Sequence, residues 1–435
     1  MVLNSSAIYP SSDPEFISFP SRRSVVHSTN GIVACTQPLA AAAGQRILRA
    51  GGSAADAAVA VAAALNMTEP SSTGIGGDMF CLFYNAETKK VEAMNGSGRS
   101  SESGSLQEIR KDLGLRTGEP GGIPMTSVHA VTTPGAAAGW VDTIEKFGSG
   151  ILEELEKTSK IRTFTEKDHN CVEYLHAVIE ALRIAFADAA WFVTDPNVIK
   201  VPTEEMISRP YLAERAKLFN PKKASSRLAH GSPAHNHSDT VYFATTDRHG
   251  NGCSFINSNY GGFGTCIIPK GCGFTLQNRG ANFSLDEGHP NVFAPRKRPY
   301  HTIIPAMITN SDDGSLHSVY GVMGGFMQPQ GHVQVLLNML TFKYNPQAAL
   351  DAPRICIGAG MPGAGDLFGT VYLEDGISQD VANQLTIMGH DVEIVSGYQR
   401  GLFGRGQVIR CHMEDGRHIY SAGSDPRGDG GAFPV

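Results

Sequence analysis

The chain has 435 residues, of which 41% are hydrophobic and 18% charged, with 49 glycines and 24 prolines; this describes a turn-rich globular protein and excludes a disordered or fibrous one. A net charge of -6 with no basic tract gives no electrostatic footprint for nucleic acid or an acidic membrane surface, so a small-molecule partner is expected. Eight cysteines (Cys35, Cys81, Cys171, Cys253, Cys266, Cys272, Cys356, Cys411) lack CxxC or paired Cys/His spacing, indicating neither a zinc site nor a disulfide framework and fitting a reducing cytoplasm.

The opening stretch MVLNSSAIYPSSDPEF has prolines, serines and acids where a secretory signal needs an unbroken apolar core, so no signal is expected and the first thirty residues read as loose. LAAAAGQRILRAGGSAADAAVAVAAALNMTEP reads as two helices broken at Gly51-Gly52, with Ser53 capping the second and Asp56 near its positive end. Its run from Ala54 to Leu65 is too short and alanine-rich to span a bilayer. SSTGIGGDMFCLFY passes from a glycine loop into a strand. A dinucleotide-binding turn would need a strand before it and a helix after it, so close backbone packing is the plainer reading.

From Asn170, NCVEYLHAVIEALRIAFADAAWFVTDP puts Leu175, Val178, Ile179, Leu182, Ala185, Phe186 and Ala189 on one stripe of an amphipathic helix, capped by Asn170 and stopped before Pro196. His176 reads as a packing residue. TVYFATTDRHGNGCSFINS forms a β-hairpin around a Gly-Asn turn. Asp239 stands directly before Thr240, which opens the first strand; on its own a threonine there is simply a good strand residue. Residues 296–340 give two strands around Asp313-Gly314, the tight turn Met323-Gly324-Gly325 and a helix. Backbone N–H groups at such a turn can stabilise an oxyanion, although most Gly-Gly turns are only turns. Mixed strands with large helices on both sides indicate a layered α+β sandwich.

The segments AAAAGQRILRAGGSAADAAVAVAAALNMTEPSSTGIGGDMF, NGSGRS, TTPGAAAGW, EYLHAVIEALRIAFAD, DTVYFATTDRHGN, RPYHTIIPAM, MGGFMQPQGHVQVLLNML and AGSDPRG follow one another over most of the chain. Together they resemble the gamma-glutamyltransferase family, also called glutathione hydrolases, among the N-terminal-nucleophile hydrolases. The resemblance implies a four-layer αββα sandwich, no cofactor or metal, and self-cleavage between Asp239 and Thr240. Residues 1–239 would be the large-subunit portion and 240–435 the small-subunit portion, remaining associated as one intertwined catalytic domain. Cleavage would free the α-amino group of Thr240, with a reference pKa of about 8, to take the proton of its own hydroxyl. By the same resemblance Gly324 and Gly325 bind the oxyanion, Ser258 supports the nucleophile, and Arg99 holds the donor's α-carboxylate.

The departures point to an acylase-like branch. Asn282 stands where better-known members have an acid for the substrate's α-ammonium, so acyl groups without an amino group should be tolerated and glutaryl and gamma-glutamyl donors should differ modestly. Their adjacent-serine pair is His301-Thr302 here, and His301 is placed to titrate near neutrality or to serve only in packing. Tyr260 and Arg279 are further candidates for substrate selectivity. The large-subunit portion is shortened near residues 147–152. The leading reading is a threonine amidohydrolase or acyltransferase that takes gamma-glutamyl or glutaryl amides and passes the acyl group to water or an amine. A non-processing homologue with a binding role is the alternative, and a serine or cysteine hydrolase lacks its GxSxG-type motif.

Overall fold

A computed structural model describes residues 23–145, 164–225, 239–358 and 369–435. The shortening expected near 147–152 and the first 22 of the thirty residues expected to be loose lie outside them, whereas Val26–Ser28 form a strand, a correction to that expectation. Two antiparallel sheets dominate. The six-stranded sheet runs β14-β2-β5-β6-β3-β4, from β2 (Gly31–Cys35), β3 (Asp78–Asn85), β4 (Lys90–Gly96), β5 (Asp239–Asp247), β6 (Gly252–Tyr260) and β14 (Gly431–Pro434). The five-stranded sheet runs β1-β13-β12-β8-β7, from β1 (Val26–Ser28), β7 (Ala306–Thr309), β8 (Leu316–Met323), β12 (Arg405–Glu414) and β13 (Arg417–Ser424). A small sheet of β9 (Ile355–Ile357), β10 (Val371–Glu374) and β11 (Val392–Val395) stands apart from both.

Strand alternation assigns the four layers. From the six-stranded sheet, Val33, Cys81, Val241, Phe243 and Phe255 point outward against Ala40, Ala57, Ala58, Val61 and Leu65 of two alanine-rich helices. Their neighbours Ile32, Ala34, Tyr242, Ala244 and Ile256 point the other way, onto Val319, Ile409, Tyr420 and Ala422 of the second sheet. That sheet's opposite face, with Tyr320, Val322 and Val408, is covered by Val335, Met339, Ala349 and Leu350 from helices Met327–Leu340 and Pro346–Asp351. The result is a four-layer αββα sandwich, the fold that the resemblance implies.

The two alanine-rich helices are Pro38–Arg49 and Ala54–Thr68, and Ser53 and Asp56 form a reciprocal capping box at the second. Gly51, at φ +97°, closes the first. Alanine is used because the helices approach so closely that a Cβ on Gly44 would sit 2.6 Å from Val61. No helix among the described residues is long and apolar enough to cross a membrane.

The helix expected from Asn170 spans Val172–Phe192, and its cap is Cys171, whose sulfur accepts from the Tyr174 amide. Asn170 is left-handed instead, at φ 54°, and donates its side-chain amide to the Pro353 carbonyl. The apolar stripe also turns: Leu175, Val178, Ile179 and Leu182 are buried as expected, but Ile184, Ala187 and Ala190 replace the exposed Ala185 farther along. His176, Glu180 and Arg183 are buried on the same helix, where Arg183 donates to Glu180 and His390, and His390 bonds His176 at 2.8 Å. His176, Glu180 and His390 have ligand atoms close enough for a metal, but the guanidinium 3.1 Å from two of the three groups makes this an ion-paired packing cluster, the role expected of His176.

Glycine sets the approach of the loops around β4. A Cβ on Gly98 would lie 1.7 Å from the Thr133 carbonyl oxygen, and one on Gly135 would lie 2.1 Å from that of Gly96. NGSGRS and TTPGAAAGW are therefore pressed together backbone to backbone, fixing Arg99. Gly98→Ala should lower unfolding stability by about 1–3 kcal/mol, as overpacking does. Gly122→Ala, with nothing within 4 Å of its new methyl, should change it by no more than about 0.5 kcal/mol. Urea unfolding of both variants measures the contrast.

Candidate active site

Asp78, Ser258 and Thr240 lie side by side on β3, β6 and β5. Asp78 is paired in register with Ser258, and the β5–β6 register shifts between Asp239 and Val241, so that Ser258 and Asn259 together oppose Thr240. This bulge brings the two hydroxyls within 3.0 Å, both fully buried. Ser258 also accepts from the Tyr260 amide at 2.8 Å, and Tyr260 adopts φ 76°, unusual for a bulky residue. The strand end is held by Asn257, which donates to Thr73 and accepts from the Trp140 indole. Gly77 allows the preceding loop to close over it, since a Cβ there would be 2.4 Å from the Ser258 carbonyl oxygen.

Beyond Ser258 a polar cluster centres on Asp78, which motif reading missed. Its Oδ1 accepts from the Gly98 amide at 2.8 Å and from Gln277 at 2.7 Å; its Oδ2 faces Arg279 Nε and His301 Nε2, each at 3.2 Å. Because the carboxylate can only accept, His301 carries its proton on Nε2, leaving Nδ1 to accept from the Ile303 amide. Arg279 donates to Thr302 at 2.7 Å and sits 5.0 Å over the Tyr260 ring. It is fully buried, and its Nη2 has no hydrogen-bond partner among the described residues. Tyr260 donates its hydroxyl to Asn282 at 2.8 Å, while the Asn282 amide donates to the Tyr300 carbonyl. Asn282 thus spends both side-chain groups inside the protein.

Arg99 lies one residue beyond Gly98. Its guanidinium donates to Asp195 at 2.7 Å and to the Arg296 carbonyl at 2.8 Å, and its side chain remains 34% exposed. Asp195, in the turn after the Val172–Phe192 helix, is a second residue that motif reading missed. Burial alone would raise its carboxyl pKa; the amides of Arg298 and Asn197 and the guanidiniums of Arg99 and Arg298 overcome this and hold it below the usual range.

The Gly324-Gly325 turn closes β8, with φ +127° and +57°. A Cβ on Gly321 would strike the Tyr242 ring of β5 at 2.5 Å, and the opposite ends of β5 and β8 line one cavity through Gly250 and Leu316. The turn therefore lies at the same end of the sandwich as Thr240.

The family model for gamma-glutamyltranspeptidase matches residues 40–159 and 149–435. The chain belongs to the gamma-glutamyltranspeptidase family. The glutathione hydrolase-like YwrD proenzyme of Bacillus subtilis is 27% identical over 543 residues, covering 94% of this chain and 99% of that protein. The acylase ACY 1 proenzyme of Pseudomonas sp. (strain V22) is 31% identical over 50% of this chain and 37% of its own length. Cephalosporin acylase from Bacillus halodurans superposes with a TM-score of 0.81 at 30% identity, covering 98% of this chain and 99% of that one. Membership in this group of transpeptidases, hydrolases and acylases gives the coarse chemistry: amide cleavage of the N-terminal-nucleophile type.

Of the two roles open to His301, the structure favours packing over titration near neutrality: burial, then the Arg279 charge, push its pKa down to about 3 against the bond to Asp78. Unfolded, it would titrate near its ordinary 6.5, so between these values the unfolded chain binds the extra proton and stability falls as the pH drops from about 6.5 toward about 3. His301→Asn should flatten this loss by on the order of 2 kcal/mol between pH 7 and pH 4.5, read from urea unfolding at the two values. His169 and His332, each pushed down to about 4 by burial, sustain a residual slope in both proteins.

Proposed function

We propose that this chain is an autoprocessing N-terminal-threonine amidohydrolase and acyltransferase, acting on glutaryl-type and gamma-glutamyl amides through an acyl-enzyme. The observation that carries the reading is the buried Thr240 hydroxyl, 3.0 Å from Ser258 at the head of β5 and at the same end of the sandwich as the Gly324-Gly325 turn. Cleavage of the Asp239–Thr240 bond frees an amine on the residue that bears the hydroxyl. That amine takes the hydroxyl proton as Oγ1 attacks the donor's amide carbon; amide N–H groups of the glycine turn receive the oxyanion; the leaving amine departs with the proton. Water or a second amine then opens the ester. Arg99 receives the donor's distal carboxylate through its exposed face. A reducing, cytoplasmic setting is part of this reading, because the eight cysteines have no paired spacing in the sequence.

The polar cluster favours donors without an α-amino group. An α-ammonium needs an acceptor, but Asn282 Oδ1 already accepts from Tyr260, and Asp78 is surrounded by four donors. Glutaryl amides make no such demand, so the two donors should differ in favour of glutaryl rather than merely tie.

Purified protein should resolve on a denaturing gel into fragments 1–239 and 240–435, the smaller opening with Thr240 on N-terminal sequencing, and Thr240→Ala should remain one chain. Wild type that stays intact through prolonged incubation would instead mark a non-processing homologue. Tyr260→Phe frees the Asn282 oxygen and should shift the ratio of kcat/KM toward gamma-glutamyl over glutaryl donors by about fivefold, the scale of one neutral hydrogen bond. An unchanged ratio removes Asn282 from selectivity.

A further inference from the structure

Arg99, next to the Gly98 that binds Asp78, does not stand alone. Arg298, from the RPYHT segment before β7, lies beside it, and both are held by the turn that follows the Val172–Phe192 helix. Asp195 in that turn has a fully buried side chain; its Oδ2 accepts from Arg99 Nη1 at 2.7 Å and from the Arg298 amide at 3.0 Å. Its Oδ1 accepts from the Asn197 amide and lies 3.7 Å from Arg298 Nη1. Asn197, with its amide oxygen turned toward the guanidiniums, accepts from Arg99 Nη2 at 3.0 Å and Arg298 Nη1 at 3.2 Å. Arg298 Nε is fixed by the Ser97 carbonyl, one residue from the Gly98 amide that Asp78 binds.

Two guanidiniums thus share two acceptors, and their side chains remain 34% and 24% exposed. Asp195 offers one negative charge for two positive ones. Burial and then Arg99 depress the Arg298 pKa, against the opposing charges of Asp195 and Asp78. A carboxylate has two oxygens, one for each guanidinium, and would complete the charge balance.

We propose that Arg99 and Arg298 act as a paired clamp for the donor's distal carboxylate, with Asp195 and Asn197 as the positioning residues that keep the two cations side by side. The inference rests on the reading of Arg99 as the carboxylate-binding residue and adds Arg298 to it. It makes the charged terminus of the acyl group the main determinant of donor recognition. A donor carrying an uncharged amide there loses both contacts at once.

Calorimetric titration of purified wild-type protein with glutarate, and with its uncharged diamide glutaramide, tests this. Wild type should bind glutarate more tightly. Arg298→Gln should weaken glutarate about tenfold, leave glutaramide within twofold, and reduce the dependence of glutarate binding on salt; Arg298→Lys, which keeps the charge, should recover part of the loss. Equal weakening of both ligands would make Arg298 a scaffold residue and overturn the clamp. If Arg99→Gln loses glutarate while Arg298→Gln binds like wild type, the clamp fails and the single-arginine reading stands. Wild type that does not prefer glutarate, or binds neither compound, overturns both.

Discussion

The buried carboxylate of Asp78 is the constraint on which the site depends. An ionised acid removed from water is tolerated only when its oxygens are fully engaged by donors and cations. Here the four partners come from three separate segments: the Gly98 amide, then Gln277 and Arg279 together, and His301. Satisfying one charge therefore fixes the NGSGRS loop, the QNRGAN segment and the RPYHT segment relative to β3. Arg99 inherits its position from Gly98, Tyr260 and Thr302 from Arg279, and Ser258 from its register opposite Asp78. Removing any one donor would leave the others around an undercompensated buried charge, so the arrangement is held as a unit.

A second buried network does similar work behind the glycine turn. Arg354 pairs with Asp425 at 2.7 Å and donates to the Phe403 and Gly404 carbonyls; Arg427 joins Asp425 to Glu374, which Arg400 also contacts. Gly404 then packs so closely that its Cα lies 3.3 Å from where a Cβ on Gly324 would stand. The turn is clamped between this loop and the helix it introduces, the rigidity that the proposed oxyanion role would require of its amides. The AGSDPRG segment contributes Asp425 and Arg427 to this clamp.

Local patterns in the sequence made the main elements legible. The N-cap at Ser53, the Gly-Asn hairpin and the glycine turn before a helix each depend on neighbouring residues, and each is present. The helix after Asn170 was read correctly as a helix but not in its cap or its outer stripe, because burial of His176, Glu180 and Arg183 depends on His390, Asn220 and Ser225, which no local period reveals. Asp78 and Asp195 were missed for the same reason. Their partners lie between 2 and 223 residues away, and only the acid opening an otherwise apolar strand hinted at Asp78. His301 could not have been assigned a charge from sequence, since its neutrality comes from burial and two cations supplied by folding.

Interleaving of the chain bears on the proposed cleavage. In the six-stranded sheet β2 lies between β14 and β5, and β3 pairs with β6, so segments from both sides of residue 240 alternate through one hydrogen-bonded ladder. The cores on both faces of that sheet likewise draw on both sides. Breaking one peptide bond at the head of β5 would leave those ladders and cores intact, and neither piece could bury its apolar faces alone. Thr240 would stay anchored through the ladder that follows it and through Ser258, already in contact in the intact chain. Cleavage in such a frame would change the ionisation at Thr240 more than its position, because the bulge, Ser258 and the Asp78 cluster are already assembled in the intact chain.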